Sequence, residues 1–456
     1  MNTSQLLAGF AAELTYETVP EHIRDAVGFR ILDLISSAAA GHRVNQATNE
    51  IVFQVLRQQS SQGQSSLFFR KDKLSASQAA FYNAFVANGA DMDDGHMLAN
   101  GHPGVTVIPP VLALAEWRSL PYQNITAAIT AGYEIYIRLS KAVMPSHLQR
   151  GFNGTGTVGS IAAAAAAAKV LGLDANGIHV AMGLAATGAS GLMELNETGQ
   201  EMKPINPGNA ACRGVLCALL AEAGAVGPEA PLDGTKGFLR AFADEIDLSV
   251  ITEGLGTDFQ LDAAYIKLYP ACRHMHAMID CAAIIRQKED FSLAEVEKLT
   301  LYTYPMSDKL TGVIRHPQSG AEAKFSLTYA TAVALITGGY SLGDLTGEAE
   351  KGEKVAELID RMEIVVDPSL ENRSIMQRGA RLEAALKNGK VLSSYVEVPK
   401  GEKRFPVENA DVRRKLDACA EGLLSDDQRE AVFKSSVHFE QMTGLRDFFL
   451  VMAEQE

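Results

Sequence analysis

Arg381-Leu382-Glu383-Ala384-Ala385-Leu386-Lys387-Asn388-Gly389-Lys390-Val391-Leu392-Ser393-Ser394-Tyr395-Val396-Glu397-Val398 is the stretch that decides the fold class. Its two halves, Arg381–Leu386 and Val391–Val398, read as strands, and Asn388-Gly389 between them supplies a hairpin turn. Leu299–Tyr304 and Glu363–Asp367 read as two more strands, with helical patterns at 272–287 and 323–337 between them. Together they form an α+β segment of about 130 residues, an ordinary domain size.

Outward from this segment the chain is helical. Pro20 suits a first helical turn, and Ile23, Val27, Ile31, Leu34 and Ile35 then recur at helical spacing up to Gly41. Similar patterns occupy 127–136, 161–173, 178–186 and 210–223, and helical texture returns from Asp411. The alanine run 162–168 implies a helix whose neighbours approach closely. The expected fold is therefore mainly α with a smaller α+β domain. A large helical domain (1–265) would carry an inserted α+β lid domain (266–400) before a helical C-terminal return (401–456). A chain of 456 residues has room for two such cores.

Apolar residues make up 47% and charged residues 21%, the composition of a folded globular protein. The formal net charge of -14 argues against nucleic acid and anionic membrane as partners. Five cysteines without a Cys-x-x-Cys pair point to reduced thiols. The N-terminus lacks a basic region and carries Glu13, so it reads as an amphipathic helix and not a signal peptide. A cytoplasmic location is expected.

Chemistry concentrates in Asp91-Met92-Asp93-Asp94-Gly95-His96-Met97-Leu98-Ala99-Asn100-Gly101-His102. Three carboxylates and two imidazoles between apolar segments are costly to bury unless they pair or react. Asp, Asn and Gly also serve turn geometry alone, so this segment by itself leaves both readings open. Gly151–Gly159 is a Gly/Thr-rich turn opening the alanine helix, where backbone N–H groups suit a carboxylate. No strand precedes it, so it is not a dinucleotide fingerprint. Lys203 stands in an otherwise uncharged Pro/Gly-shaped loop leading into a helix. In 267–276, a helix starting near Cys272 would put Cys272, His276 and Asp280 on one face. That geometry can bind zinc, yet no full set of four ligands is evident, and a metal-free site is expected.

These segments, in this order and spacing, resemble the MmgE/PrpD family, which includes 2-methylcitrate dehydratases, cis-aconitate decarboxylases and an iminodisuccinate epimerase. The resemblance rests on Asp91-Met92-Asp93-Asp94, His102-Pro103, the Gly151–Thr155 segment, Met202-Lys203 with Gly208, Lys267–His276, and Ala323–Tyr329. It implies the same helical domain with an inserted lid, and a homodimer. It also implies catalytic roles for His102, His276, His274, Tyr329 and Asp93. Lys203, Lys267, Asn153, Asp94, His96 and Cys272 become substrate-binding candidates. His274 and His276 cannot share a helix face, so one of them is structural; Asp91 reads as a structural cap, and Arg138 is a weaker candidate. Asn153 and Asn206 stand where many members have histidine, and asparagine can bond a substrate but cannot move a proton.

The implied activity is a cofactor-independent lyase, a dehydratase or decarboxylase, acting on a small di- or tricarboxylate. Lysines would grip carboxylates while histidine moves a proton next to a developing enolate. The alternatives are an epimerase or isomerase of a dicarboxylate, and a carboxylate-binding protein without turnover.

Overall fold

The computed structural model describes residues 2–197, 201–345, 352–441 and 444–453. Its centre is the Gly154–Val170 helix, and every residue of the 162–168 alanine run is fully buried. The helices Pro103–Arg118, Tyr122–Val143, Ala175–Thr187 and Ile205–Glu222 surround it. Small side chains make this possible. A Cβ on Gly214 would stand 2.6 Å from that of Ala163, so the two helices meet nearly backbone to backbone. Outside this layer lie Glu21–Val44 and Ala76–Asn88.

The hairpin is present as Ala380–Leu386 and Val391–Val396, paired antiparallel, with Gly389 at a φ of +83° in the turn. Val296–Thr303 joins the other side of Ala380–Leu386 antiparallel, and Met362–Val366 completes a four-stranded sheet by pairing parallel to Val296–Thr303. Leu382, Ala384 and Leu386 alternate onto one buried face. That face receives the His276–Arg286 helix, which in turn packs on Leu327–Thr337. The helix expected from Cys272 begins instead at His276, after a 3-10 turn over Arg273–Met275. Cys272, His276 and Asp280 therefore do not share one continuous helical face.

After the sheet the chain returns to the helical layer. Asn409–Ala420 and Asp426–Val437 both pack on Glu21–Val44. Lys415 anchors this return with a buried Nζ that donates to Oδ1 of Asp33 at 2.6 Å and to the carbonyl of Met92 at 2.7 Å. The fold is mainly α with a smaller α+β portion. Among the described residues, no helix is long and apolar enough to cross a membrane.

Candidate active site

The segment from Asp91 to His102 is a buried, tightly folded turn. Gly95 and Tyr265 exchange backbone hydrogen bonds, and His96 N–H donates to the carbonyl of Gly101. Asp91 and Asn100 adopt left-handed backbone at φ values of +55° and +48°, a conformation that Asp and Asn tolerate best among side-chain-bearing residues. Gly95 and Gly101 are sterically required: an added Cβ would fall 2.4 Å from the Tyr265 hydroxyl and 2.1 Å from the Tyr136 hydroxyl, respectively.

The three carboxylates of the turn do different work. Asp94 accepts the Tyr133 hydroxyl at 2.6 Å and the Gly104 N–H at 2.9 Å, tying the turn to two helices. Burial pushes its carboxyl up, against the opposing pull of Arg30 and these hydrogen bonds. Asp93 accepts hydrogen bonds from Asn88 Nδ2 on both oxygens and faces His102 Nδ1. Burial works against its charge, but His102 and Lys267 outweigh it and hold the carboxyl below its usual range. Asp91, expected only to cap structure, is the anion between two lysines. Lys203 Nζ lies 2.5 Å from Oδ1, and Lys267 Nζ lies 3.3 Å from Oδ2 and 2.8 Å from the Asp91 carbonyl. Burial opposes ionisation here too, yet Lys203, Lys267 and His102 prevail and keep Asp91 far below the carboxylate range.

His102 lies in the non-helical position just before the Pro103–Arg118 helix. Its Nδ1 is 2.8 Å from the carbonyl oxygen of Asp94 and 3.1 Å from Oδ2 of Asp93. A carbonyl and a carboxylate can only accept, so Nδ1 carries the hydrogen and Nε2 is the nitrogen left for chemistry. The ring lines a cavity of about 440 Å³. Asn153 lines it as well, with Oδ1 capping its helix by accepting the Gly156 N–H at 3.1 Å. Lys203, Lys267, Cys272 and His274 complete the set of expected residues on the wall. His274 Nδ1 lies 2.7 Å from the Tyr304 hydroxyl, and burial, then Arg378 and Lys267, hold the ring neutral, well below its ordinary range.

Other expected residues stand away from this wall. His276 is buried behind it, with Nδ1 facing the Arg273 guanidinium and Nε2 at 3.2 Å from the Ala271 carbonyl. It is the member of the His274/His276 pair that faces protein on both ring nitrogens. Tyr329 donates its hydroxyl to the Asp344 carbonyl at 2.7 Å. His96 is buried within the turn, where Nδ1 accepts the Ala99 N–H. Asp93 and Asp94 stand behind His102. Asn206 is buried near Gly191. Arg138 forms a buried pair with Glu134 and donates to the carbonyls of Glu253 and Asp258, bracing a distant loop.

Sequence reasoning missed several residues. Arg378, Lys309, Asn100, Thr155 and Tyr265 line the cavity. Lys324 lies beside it, with Nζ donating to the Gly89 carbonyl. Burial, opposed by Asp91 and reinforced by Lys203, pulls this lysine down to about 8. Among the described residues, Lys203, Lys267, Arg273, Lys309 and Arg378 face the cavity against a single lining carboxylate, Asp91. In a chain of net charge -14, this is a local concentration of positive charge. Met193, Met306, Leu310 and Phe325 supply an apolar part of the wall.

Comparison with known proteins places the chain in a family. The MmgE/PrpD N-terminal domain matches residues 5–250, and the MmgE/PrpD C-terminal domain matches 269–438. A cis-aconitate decarboxylase-like protein of Aspergillus oryzae (oryM) is 23% identical over 99% of this chain and 97% of its own length. Human cis-aconitate decarboxylase is 27% identical over 81% of this chain and 78% of its own. The cis-aconitate decarboxylase of Aspergillus terreus is 24% identical over 92% and 89%, respectively. With both family domains matched in order along nearly its whole length, the chain belongs to the MmgE/PrpD family.

Proposed function

We propose that this protein is a cofactor-independent lyase that acts on a small di- or tricarboxylate, with decarboxylation of a cis-aconitate-type acid as its reaction. The observation that carries this reading is the cation-lined cavity of about 440 Å³ with His102 on its wall. Its size suits a small acid, and its charge suits several carboxylates. The names of the relatives favour decarboxylation over dehydration or epimerisation.

The chemistry follows from the charges. Breaking the bond between a CH2 carbon and its carboxylate releases CO2 and leaves an electron pair on carbon. The pair spreads through the neighbouring C=C bond to a retained carboxylate. Cations on the wall stabilise that spread charge, and Asp91 holds Lys203 and Lys267 in place while cancelling only one of their two charges. A proton from Nε2 of His102 then closes the far alkene carbon. One trianion and one proton give one dianion and one CO2. Asp93 stabilises the doubly protonated ring from behind Nδ1. The 1–265, 266–400 and 401–456 division and a cytoplasmic homodimer belong to the same proposal.

NMR of cis-aconitate incubated with the protein in deuterated water tests the reading. Loss of CO2 with one deuteron incorporated into the product supports it. Water addition or loss points to a dehydratase, exchange without mass loss to an isomerase, and an unchanged spectrum across citrate-, malate- and aspartate-like acids to a binder.

A further inference from the structure

Most buried cations at the cavity already face an internal partner. Lys203 and Lys267 share Asp91, and Arg273 is paired with Glu402 at 3.1 Å. Arg378 differs. It lines the cavity and is only 3% exposed, and among the described residues no carboxylate lies within ion-pair distance of it. Of its five N–H donors, one on Nη2 reaches the Met97 carbonyl at 3.0 Å, and among the described residues Nε has no hydrogen-bond partner. A guanidinium enclosed this way is costly unless an anion satisfies it, and its planar fork matches a carboxylate. Burial works against its charge, but Tyr304, Tyr265 and Glu402 outweigh it, and the guanidinium stays charged.

A second donor stands on the same turn. Met97, which Arg378 holds, and Asn100 both belong to the loop closed between His96 and Gly101. Asn100 lines the cavity, its left-handed backbone carries a short amide side chain, and among the described residues its Nδ2 has no partner. His102 follows two residues later, so a group held here stands beside the proton-moving ring.

We propose that Arg378 and Asn100 form a second carboxylate subsite, separate from the Asp91–Lys203–Lys267 cluster, that sets how many carboxylates a ligand of this cavity must carry. The proposal rests on the cavity being a polycarboxylate site, and it deepens that reading. Arg378 acts here as a binding and specificity residue and moves no proton. Two chemically different anion subsites, a guanidinium with an amide and a pair of ammonium groups, would orient an asymmetric acid in a single direction.

Calorimetric titration of the full-length protein with two unreactive probes, propane-1,2,3-tricarboxylate and glutarate, tests this. The wild-type protein should prefer the tricarboxylate. Arg378→Gln should cut that preference roughly ten- to hundred-fold, the worth of a charged hydrogen-bonded pair. Arg378→Lys and Asn100→Gly should cut it by smaller factors. Asn100→Gly keeps the left-handed backbone accessible, so it reports on the amide and not on folding. Thermal melting identifies which variants are folded; if Arg378→Gln is not, the other two decide. An unchanged preference in the folded variants overturns the subsite while leaving the proposed function standing. Failure of the wild-type protein to bind either probe counts against the polycarboxylate reading itself, and the subsite falls with it.

Discussion

Asp93 stands behind His102, with Oδ2 3.1 Å from Nδ1 and its own two oxygens tied to Asn88. This chain of contacts starts on the Ala76–Asn88 helix and ends on the one turn histidine that lines the cavity. The ring is thereby fixed in tautomer and in orientation before any substrate arrives.

His102→Gln should lower kcat by about 10²–10⁴, the usual contribution of a positioned acid or base. Asp93→Asn should lower it less, because the Asp94 carbonyl still holds Nδ1. Steady-state kinetics with thermal melting of both variants checks this. Near-normal turnover in folded His102→Gln protein would remove the imidazole from the reaction.

Asp91→Asn removes the carboxylate shared by Lys203 and Lys267 and leaves two buried ammonium groups uncompensated. Losing one partner of a buried ion pair costs about 3–5 kcal/mol, so urea unfolding should show a loss of that order. A change within experimental error would mean that the lysines tolerate each other without the anion.

Acid should destabilise the protein through its buried neutral histidines, offset in part by Glu134 and Asp33, whose carboxyls burial raises to about 7 and about 6. Burial holds His96 neutral, down to about 3, and His147 likewise, down to about 4 despite its contact with the Phe242 carbonyl. Below pH 6.5 the unfolded chain takes up protons at these positions that the folded chain refuses. Stability therefore falls with falling pH, by roughly 1 kcal/mol for each such histidine over the first unit. Melting temperature measured from pH 7 to 5 reads this directly, and a flat profile contradicts it.

Gly101→Ala should weaken folding by about 1–3 kcal/mol, because the new methyl meets the Tyr136 hydroxyl. Removing that oxygen with Tyr136→Phe in the same chain should restore part of the loss. A double-mutant cycle gives the coupling, and strictly additive effects would show that the strain lies elsewhere.

EDTA should leave turnover unchanged. Cys272 precedes its helix, His276 is engaged by Arg273 and Ala271, and Asp280 accepts the Tyr269 hydroxyl, so their donor atoms point to different partners. Activity lost to EDTA and restored by zinc would reverse this assignment.

The strands and the long helices were legible because burial imposes a period on the side chains. Leu382, Ala384 and Leu386 alternate, and Ile23, Val27 and Ile31 follow a helical repeat. The parallel pairing of Met362–Val366 with Val296–Thr303 was not, since it depends on a crossover that no local pattern encodes. His102, Lys203 and Lys267 could be picked out from their loops and from family resemblance. That Asp91 receives both lysines was hidden, because the contacts span 112 and 176 residues. Arg378 escaped notice for a related reason. It sits in an ordinary-looking Gln-Arg-Gly segment, and only its three-dimensional seat against the Met97 turn makes it unusual. Tyr329 shows the converse, since a tyrosine in a suggestive motif spends its hydroxyl on a nearby backbone carbonyl.

Lys415 reaches back to the carbonyl of Met92, 323 positions earlier in the chain. A ribosome making this protein emits the Asp91–His102 loop early and its brace more than three hundred residues later. Until the Asn409–Ala420 helix emerges, the loop lacks one of its buried supports, so a nascent chain, or one clipped ahead of that helix, should be catalytically silent even with every cavity residue already synthesised.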